Sequence, residues 1–218
     1  MTDRPMIFSA PMVLALLDGR KTQTRRVLKE QRHVATPAMV GGRWQWQGFS
    51  GAKLGDVVRR YAPGDRLWVK EAWRTDLGSD HLRPSKLDPA KATVWFDASS
   101  DWQYDYEKPR YRHARFMPRW ASRLTLTVTD VRVQRVQDIS EEDAVAEGIE
   151  RLVGSKGPNH FSRQICGKWS GSFNAPTAQD VYADIWNTLH GPDAWDRNPW
   201  VAAYTFTVHN GNIDGGKA

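Results

Sequence analysis

Alternation of apolar and polar residues predicts most of the strands. The clearest alternation covers residues 122–136, where Leu124 and Val128 share one face and Val131 continues the pattern one residue out of phase. The shift at residues 129–130 indicates a β-bulge or a bend, which is how long strands of small barrels turn corners. Shorter strand patterns cover residues 6–9, 27–28, 44–47, 66–73, 92–96 and 199–208.

Helical spacing of apolar residues predicts three helices, over residues 11–18, 138–147 and 177–190. The first is expected to end at Gly19, because glycine adopts the left-handed conformation without steric cost. The second has Ser140 as its N-cap and Asp143 at the capping-box position, and Gly148 ends it. With strands more numerous than helices, the pattern predicts an α+β domain whose strands close into a small β-barrel with flanking helices.

Stretches rich in glycine, serine and proline indicate insertions and turns. The insertions are expected near residues 30–62, 75–110 and 150–176, within a single domain over residues 1–209. Residues 63–65 (Pro-Gly-Asp) predict a turn before the strand at 66–73. The polar, glycine-rich residues 210–218 predict a disordered tail.

Composition narrows the class of protein. The chain has 218 residues, of which 40% are hydrophobic, so it can bury a core. Its one cysteine, Cys166, excludes an intrachain disulfide, and we find neither a secretory pattern nor an early apolar run of about 18 residues. We therefore expect a cytoplasmic protein with no membrane partner. The formal net charge of +6 fits either simple solubility or an anionic partner such as nucleic acid.

The common enzyme signatures are missing from the sequence. It has no glycine-rich phosphate loop, no His-Glu-x-x-His and no Cys-x-x-Cys, and its six histidines are scattered. A zinc deaminase needs more than one cysteine in its usual signature. We therefore predict no metal and no cofactor, which leaves hydroxyl, amine and carboxylate chemistry.

The densest polar cluster is residues 19–26 (Gly-Arg-Lys-Thr-Gln-Thr-Arg-Arg), directly after the first helix. Neighbouring arginines and burial would both lower the pKa of Lys21, so that it could act as a general base on Thr24 or on a water molecule. The two side chains would point to opposite sides of a regular strand, so they meet only if the segment turns or bulges. The alternative is a solvated basic turn.

Three other features are candidates for polar chemistry. Glu147 lies in the last turn of the second helix, where a carboxylate interacts unfavourably with the helix dipole and a cation such as Lys21 would stabilise it. The alternative is an ordinary surface glutamate. Glu71 shares a strand face with aliphatic residues, so it lies either at a strand end or in a pocket. The basic residues of 110–119 (Arg110, Arg112, Arg115 and Arg119), interleaved with Tyr111 and Phe116, form either a phosphate-facing strip or a solvated face.

Three segments resemble the ASCH family, which has the PUA-like β-barrel fold. They are residues 17–25 (Leu-Asp-Gly-Arg-Lys-Thr-Gln-Thr-Arg), 63–69 (Pro-Gly-Asp-Arg-Leu-Trp-Val) and 139–148 (Ile-Ser-Glu-Glu-Asp-Ala-Val-Ala-Glu-Gly). The Gly-x-Lys-Thr-x-Thr-x-Arg core is the most specific of them. The long, tryptophan-rich chain resembles the branch common in phages and prophages. The resemblance covers about half of the chain and leaves the three insertions without a counterpart.

Some ASCH proteins are amidohydrolases that remove the acyl group from N4-acetylcytidine. The resemblance implies that Lys21, Thr24 and Glu147 are catalytic. Among the substrate-binding residues we expect Arg25, Arg26 and Glu71, with either arginine, or a backbone amide, holding the developing oxyanion. Trp68 or Trp73 would stack on the pyrimidine, although core packing is the alternative for each.

The function predicted from sequence is thus hydrolysis of N4-acylated cytosine nucleosides, with a small nucleoside as the partner. Two alternatives stay open. One is a PUA-like module that binds RNA without catalysis, and the other is a metal-independent ribonuclease built on the same cleft. The sequence leaves open the acyl-group range, the choice between Thr24 and water as the nucleophile, and the oligomeric state.

Overall fold

The computed structural model describes residues 2–32, 35–48, 50–51, 53–58, 60–99, 108–152, 160–162, 175 and 177–215. The helices are α1 (Ala10–Leu17), α2 (Glu141–Ala146) and α3 (Ala178–His190). The strands are β1 (Asp3–Ile7), β2 (Gln23–Val27), β3 (Thr36–Val40), β4 (Arg43–Gln47), β5 (Lys53–Asp56), β6 (Arg66–Lys70), β7 (Trp73–Thr75), β8 (Val94–Phe96), β9 (Leu124–Arg135), β10 (Glu150–Leu152), β11 (His160–Ser162) and β12 (Trp200–Asn210). The three predicted helices are all present, with bounds shifted by a few residues.

The central sheet has five strands in the order β1-β6-β9-β12-β2. Strand β1 runs parallel to β6, and the other pairs are antiparallel. The β9–β12 register shifts between Thr205 and Phe206, which pair with Asp130 and Val128 and leave Thr129 as the extra residue. The bulge predicted from the phase shift is thereby confirmed.

The central sheet is strongly curled, as the approach of its two edge strands, β1 and β2, shows. Arg26 of β2 donates a hydrogen bond from Nη2 to the carbonyl oxygen of Ile7 at the end of β1, over 2.7 Å. Among the described strands the backbone pairing stops at β1 and β2, so no closed barrel is formed by those pairs. The α+β class is confirmed.

Alternate residues of β12 belong to two different cores. Ala202, Tyr204 and Phe206 face the inner core of the curled sheet, whereas Val201 faces a second core formed with α2 and α3. A third, smaller core surrounds Trp73. This alternation follows from the two-residue period of a strand, and it fixes α2 and α3 against the outer face of the sheet.

Part of the first predicted insertion is integral to the fold. Strands β3, β4 and β5 form a small antiparallel sheet, and the β3–β4 hairpin turns at Gly41 and Gly42, which both have positive φ. The hairpin strand predicted at residues 44–47 is therefore confirmed. Trp46 of β4 is 1% exposed and meets the ring of Trp200 edge-on, so this hairpin contributes to the inner core.

The strand predicted over residues 66–73 is instead two strands. β6 ends at Lys70, and after Glu71 and Ala72 the chain leaves the central sheet to pair β7 with β8. In the third insertion β10 pairs with β11, and residues 153–159, 163–174 and 176 lie outside the described part of the chain.

The disordered tail predicted from residue 210 needs correction. The side-chain amide of Asn212 donates hydrogen bonds to the carbonyl oxygens of Arg119, Trp120 and Ser122, and Ile213 is 2% exposed. These contacts hold residues 210–215 against the domain, and residues 216–218 lie outside the described part. Within the described ranges, no helix combines the length and the apolar character that crossing a membrane requires.

Candidate active site

An irregular turn brings Lys21 between two helices. Helix α1 stops at Gly19, whose φ of 71° is left-handed as predicted. The backbone amide of Lys21 then donates to the carbonyl of Ala15, and that of Thr22 to the carbonyl of Ala146. The segment between α1 and β2 is therefore fixed to the C-terminal ends of both α1 and α2.

The buried amine of Lys21 reaches the end of α2. Its Nζ donates to the carboxylate Oε2 of Glu147 and to the backbone carbonyl of the same residue, each over 2.7 Å. Lys21 is 0% exposed, and the Glu147 side chain is 6% exposed. The cation that the C-terminal carboxylate of α2 requires is thus Lys21, as the helix-dipole argument suggested.

Gly148 makes this close approach sterically possible. A Cβ at this position would lie 3.0 Å from the Cβ of Ala15 and 3.3 Å from that of Lys21, and its φ of 102° disfavours other residues. The glycine that ends α2 therefore also provides the space in which the lysine side chain lies.

A second layer of polar side chains surrounds the pair. Arg25 donates to Glu147 Oε1 over 3.1 Å and to Asp143 Oδ2 over 2.8 Å. Asp143 also accepts hydrogen bonds from Gln23 and from Arg132 of β9. Both carboxylates are thereby held by charge-assisted hydrogen bonds, which fix their orientation.

Asp143 has a different role from the one predicted. Ser140 does cap α2, accepting a hydrogen bond from the Asp143 amide over 3.1 Å. The Asp143 carboxylate, however, accepts hydrogen bonds from Arg25, Arg132 and Gln23 in place of closing a capping box, because these three side chains lie on the sheet beneath it. An aspartate where glutamate or glutamine is usual was the one hint of this in the sequence.

Burial and charge shift the pKa values of this cluster in opposite directions. Burial lowers the pKa of Lys21, although the charge and hydrogen bond of Glu147 oppose that effect. Burial alone would raise the pKa of Asp143, but hydrogen bonds from Arg132 and Gln23 and the nearby arginine charges lower it overall. Burial and the charge of Glu147 raise the pKa of Tyr182 well above its ordinary value.

A cavity of about 340 Å³, here called the base cavity, opens beside this cluster. Thr24, Arg25, Arg26 and Glu147 line its polar side. Helices α1 and α3 supply most of the remainder, including Met12, Ala15, Tyr182, Ile185, Trp186, Leu189 and His190. Lys21 does not line the cavity and reaches it only through Glu147, to which it is hydrogen-bonded.

The structure therefore brings together five of the residues proposed from sequence. Thr24, Arg25, Arg26 and Glu147 share the base cavity, and Lys21 lies directly behind Glu147. Thr24 is 3% exposed, and in the described part of the chain no protein group is hydrogen-bonded to its hydroxyl. The catalytic roles of these residues stay predictions.

The other three proposed site residues lie elsewhere: Trp68 is on β6 of the central sheet, and after Glu71 the chain leaves that sheet for β7, which carries Trp73. Glu71 forms a two-point ion pair with Arg123, at 2.9 Å from both Nε and Nη2. Trp73 is 0% exposed in the third core, and Trp68 lies under the Lys70 ammonium at 5.1 Å from its ring centre. None of the three lines the base cavity.

Sequence reasoning missed the aromatic wall of the base cavity. Tyr182 and Trp186, one turn apart on α3, face it together with His190. The Tyr182 hydroxyl lies 3.5 Å from Glu147 Oε1. The helical spacing of apolar residues over 177–190 puts Tyr182 and Trp186 on the apolar face of the helix, and only the packing of α3 beside α2 shows that this face also borders a cavity.

Within the described residues, no three histidine, cysteine, aspartate or glutamate side chains converge into a group that could hold a metal ion. Comparisons of the chain with protein-family models, curated proteins and solved structures returned no match.

Proposed function

We propose that this protein is an amidohydrolase that removes the acyl group from N4-acylated cytosine nucleosides, built on an open, PUA-like curled sheet. The observation that carries the proposal is the buried Lys21–Glu147 pair behind a cavity that Thr24 also lines. An amine and a carboxylate 2.7 Å apart in a desolvated site can exchange a proton, which amide hydrolysis requires.

The base cavity suits a flat, acylated pyrimidine. Its volume of about 340 Å³ lies in the range typical of small-molecule sites. Tyr182 and Trp186 offer π-faces on one side, and Glu147 and Thr24 offer hydrogen-bonding groups on the other. A nucleobase held against the aromatic wall would direct its N4-acyl group toward the polar residues.

The proposed reaction uses these groups as nucleophile and base. The oxygen of a water molecule, or of Thr24 as a first nucleophile, bonds to the acyl carbon while Glu147 accepts its proton. The carbon–nitrogen bond then breaks, and the proton is returned to the cytosine N4, giving the free nucleoside and a carboxylic acid. If Thr24 attacks, a water molecule cleaves the resulting ester.

The cations adjust this chemistry. Lys21 acts through Glu147, since its ammonium lies 2.7 Å from Oε2 and does not line the cavity. Arg25 orients the other carboxylate oxygen, at 3.1 Å. Arg26, which lines the cavity, is placed to stabilise negative charge on the acyl oxygen in the transition state.

The test is ultraviolet monitoring of N4-acetylcytidine with the wild type, Lys21→Ala and Glu147→Ala. Hydrolysis by the wild type and its loss in both variants are expected. Glu71→Gln is the matched control, because it alters a buried, arginine-paired glutamate outside the base cavity. An unchanged spectrum with the wild type would contradict the proposal.

A second function, RNA binding without catalysis, is favoured by a separate surface. Tyr111 and Phe116 are 45% and 57% exposed and border a cavity of about 510 Å³ that Arg83 and Arg110 also line. Exposed aromatic rings among arginines are typical of surfaces that stack single-stranded bases. Two arginines of the predicted basic strip are not free for this role. Arg112 is buried against carbonyl oxygens, and Arg119 is paired with Asp3 and Asp214.

This alternative predicts salt-dependent binding of single-stranded RNA that Tyr111→Ala and Phe116→Ala weaken, in a protein that does not hydrolyse N4-acetylcytidine. Binding that is unaffected by both substitutions would contradict it.

A further inference from the structure

A second cavity adjoins the base cavity on the far side of Arg26. It has a volume of about 720 Å³ and lies between the edges of the curled sheet and residues 56–58 and 60–61. Ile7, Arg26 and Val27 line both cavities, so the Arg26–Ile7 hydrogen bond belongs to the wall between them. We call this second space the edge cavity.

The lining of the edge cavity is strongly cationic. Five cations surround it: Arg26, Lys29, Arg60, Lys70 and Arg115. It has two carboxylates, Asp56 and Glu30. Glu30 is already paired with Arg32 at 2.9 Å. In the described part of the chain none of the five cations forms an ion pair with a carboxylate, so their charge is available to an anion in the cavity.

Two of these cations are held in place without being neutralised. Arg26 donates to the Ile7 carbonyl and lies over the Phe8 ring at 5.4 Å. Lys70 donates to the carbonyl of Arg115 and lies over the Trp68 ring at 5.1 Å. Bonds to neutral oxygens and rings orient the positive groups but leave the charge in place, which is how a site for an anion is preorganised.

The floor of the edge cavity is rigid. Tyr61 and Tyr204 line it, and their rings pack edge-on with centres 5.3 Å apart. The Tyr61 hydroxyl donates to the carbonyl of Pro5 over 2.8 Å. A ligand in the edge cavity would therefore meet an ordered aromatic surface with cations around it.

From this arrangement we infer that the edge cavity binds a phosphate group of the substrate, so that the preferred substrate is a phosphorylated N4-acylcytidine. The inference rests on the proposed function, because it requires the base to occupy the base cavity. Ile7, Arg26 and Val27 line both cavities, so a nucleotide whose sugar passes over these three residues would have its base in one cavity and its phosphate in the other. The phosphate belongs either to a mononucleotide or to a nucleic-acid strand that contains the modified base.

The experiment compares kcat/KM for N4-acetylcytidine, its 5′-monophosphate, its 3′-monophosphate and a trinucleotide with the modified base at its centre. We expect at least one phosphorylated substrate to exceed the nucleoside by about tenfold at low salt, mainly through KM, with an advantage that shrinks as salt is added. If only the trinucleotide has a higher kcat/KM than the nucleoside, the substrate is a nucleic-acid strand. If a monophosphate has an equal advantage, the substrate is a mononucleotide.

The variant for this test is Lys29→Gln/Arg60→Gln, since both residues are exposed and line the edge cavity but not the base cavity. It is expected to remove most of the advantage while leaving nucleoside turnover unchanged. The control, Lys86→Gln/Lys91→Gln, removes the same charge away from both cavities and is expected to retain the advantage.

Equal kcat/KM for all four substrates in the wild type would overturn the inference and leave the proposed function intact. If no substrate is hydrolysed, the proposed function fails, and binding of cytidine monophosphate measured by calorimetry decides the phosphate site. Binding that the double variant weakens, with the control unaffected, supports the site, and absence of binding overturns it.

Discussion

Two buried glutamates in this molecule have almost the same immediate chemistry and very different surroundings. Glu147 is paired with Lys21 and Arg25, and Glu71 is paired with Arg123. Beside Glu147 the base cavity opens, whereas the Arg123 guanidinium lies 4.0 Å from the centre of the Phe96 ring and Glu71 is 1% exposed. Ion pairing and burial are therefore common to both glutamates and cannot by themselves identify a site.

The two glutamates differ in whether a substrate can reach them and in whether their partner cation can lose a proton. Arginine stays protonated in proteins, so the Glu71–Arg123 pair has no proton to exchange at neutral pH. Lys21 is an amine whose pKa is lowered by burial, and its partner Glu147 borders a cavity that also contains a hydroxyl. A buried carboxylate is a better candidate for catalysis when its partner can titrate and a substrate can reach it.

The largest expected effect separates the two glutamates by activity. Glu147→Gln is expected to lower turnover of N4-acetylcytidine by about 10³-fold, because the amide cannot accept the proton of the nucleophile. Glu71→Gln should leave turnover unchanged. Steady-state kinetics of both variants measure the contrast, and equal losses would show that the two glutamates do not differ in the way described.

The second prediction concerns the free energy of unfolding. Glu71→Ala is expected to cost about 3 kcal/mol at pH 7, because it leaves the largely buried Arg123 without its carboxylate. Urea unfolding followed by tryptophan fluorescence measures the loss. Arg123→Ala should cost a similar amount, and the double variant should cost less than the sum of the two. Additive losses would mean that the pair does not act as a unit.

The third prediction sharpens the role of the hydroxyl in the base cavity. Thr24→Val keeps the shape of the side chain and is expected to lower turnover by about 10²-fold, the usual scale for losing one polar contact to the reacting group. Thr24→Ser should retain most of the activity. Full activity in the valine variant would exclude Thr24 as the nucleophile and favour attack by water.

The smallest expected effect is on the pH dependence of stability, which Glu71 and Asp143 should change in opposite directions. Burial raises the pKa of Glu71 above its ordinary value of 4.5 despite the hydrogen bond from Arg123, so the folded state binds more protons than the unfolded state between those two values. As pH falls through that window, the wild type should gain stability relative to Glu71→Gln.

Asp143 should behave in the opposite way. Its pKa is lowered from 3.8 in the folded state, so its contribution to stability is present above 3.8 and is lost as pH falls toward the folded value. The wild type should therefore lose stability relative to Asp143→Asn in acid. Urea midpoints measured across pH for the two pairs of proteins test both signs, and parallel pH profiles would contradict the comparison.

Local signals in the sequence predicted the parts of the fold that are decided locally. The stop of α1 at Gly19, the Ser140 cap and the bulge near Thr129 all follow from backbone sterics and short-range hydrogen bonds. The pairing of Glu147 with Lys21 is similar, since a carboxylate at a helix C-terminus is stabilised by a nearby cation.

The rest depends on which elements become neighbours. Arg25 on β2 and Arg132 on β9 both reach Asp143 because β12 pairs with both strands and places the two arginines level with each other, and no local pattern encodes that order. Tyr182 lies on the apolar face of α3, and nothing in the local sequence indicates that a cavity borders that face. Trp73 shows the converse, because an aromatic near a polar motif in sequence is here a core residue.

The order of strands has a consequence for how the protein is made. Lys21 and Glu147 are 126 positions apart, and among the described strands β2 joins the central sheet only through β12, Trp200–Asn210. A nascent chain emerging from the ribosome therefore carries the N-terminal half of the site long before β2 has a strand to pair with. Activity should arise only once β12 has been synthesised, because a chain released before that point would carry Lys21 and Glu147 without the strand that holds β2 in the sheet.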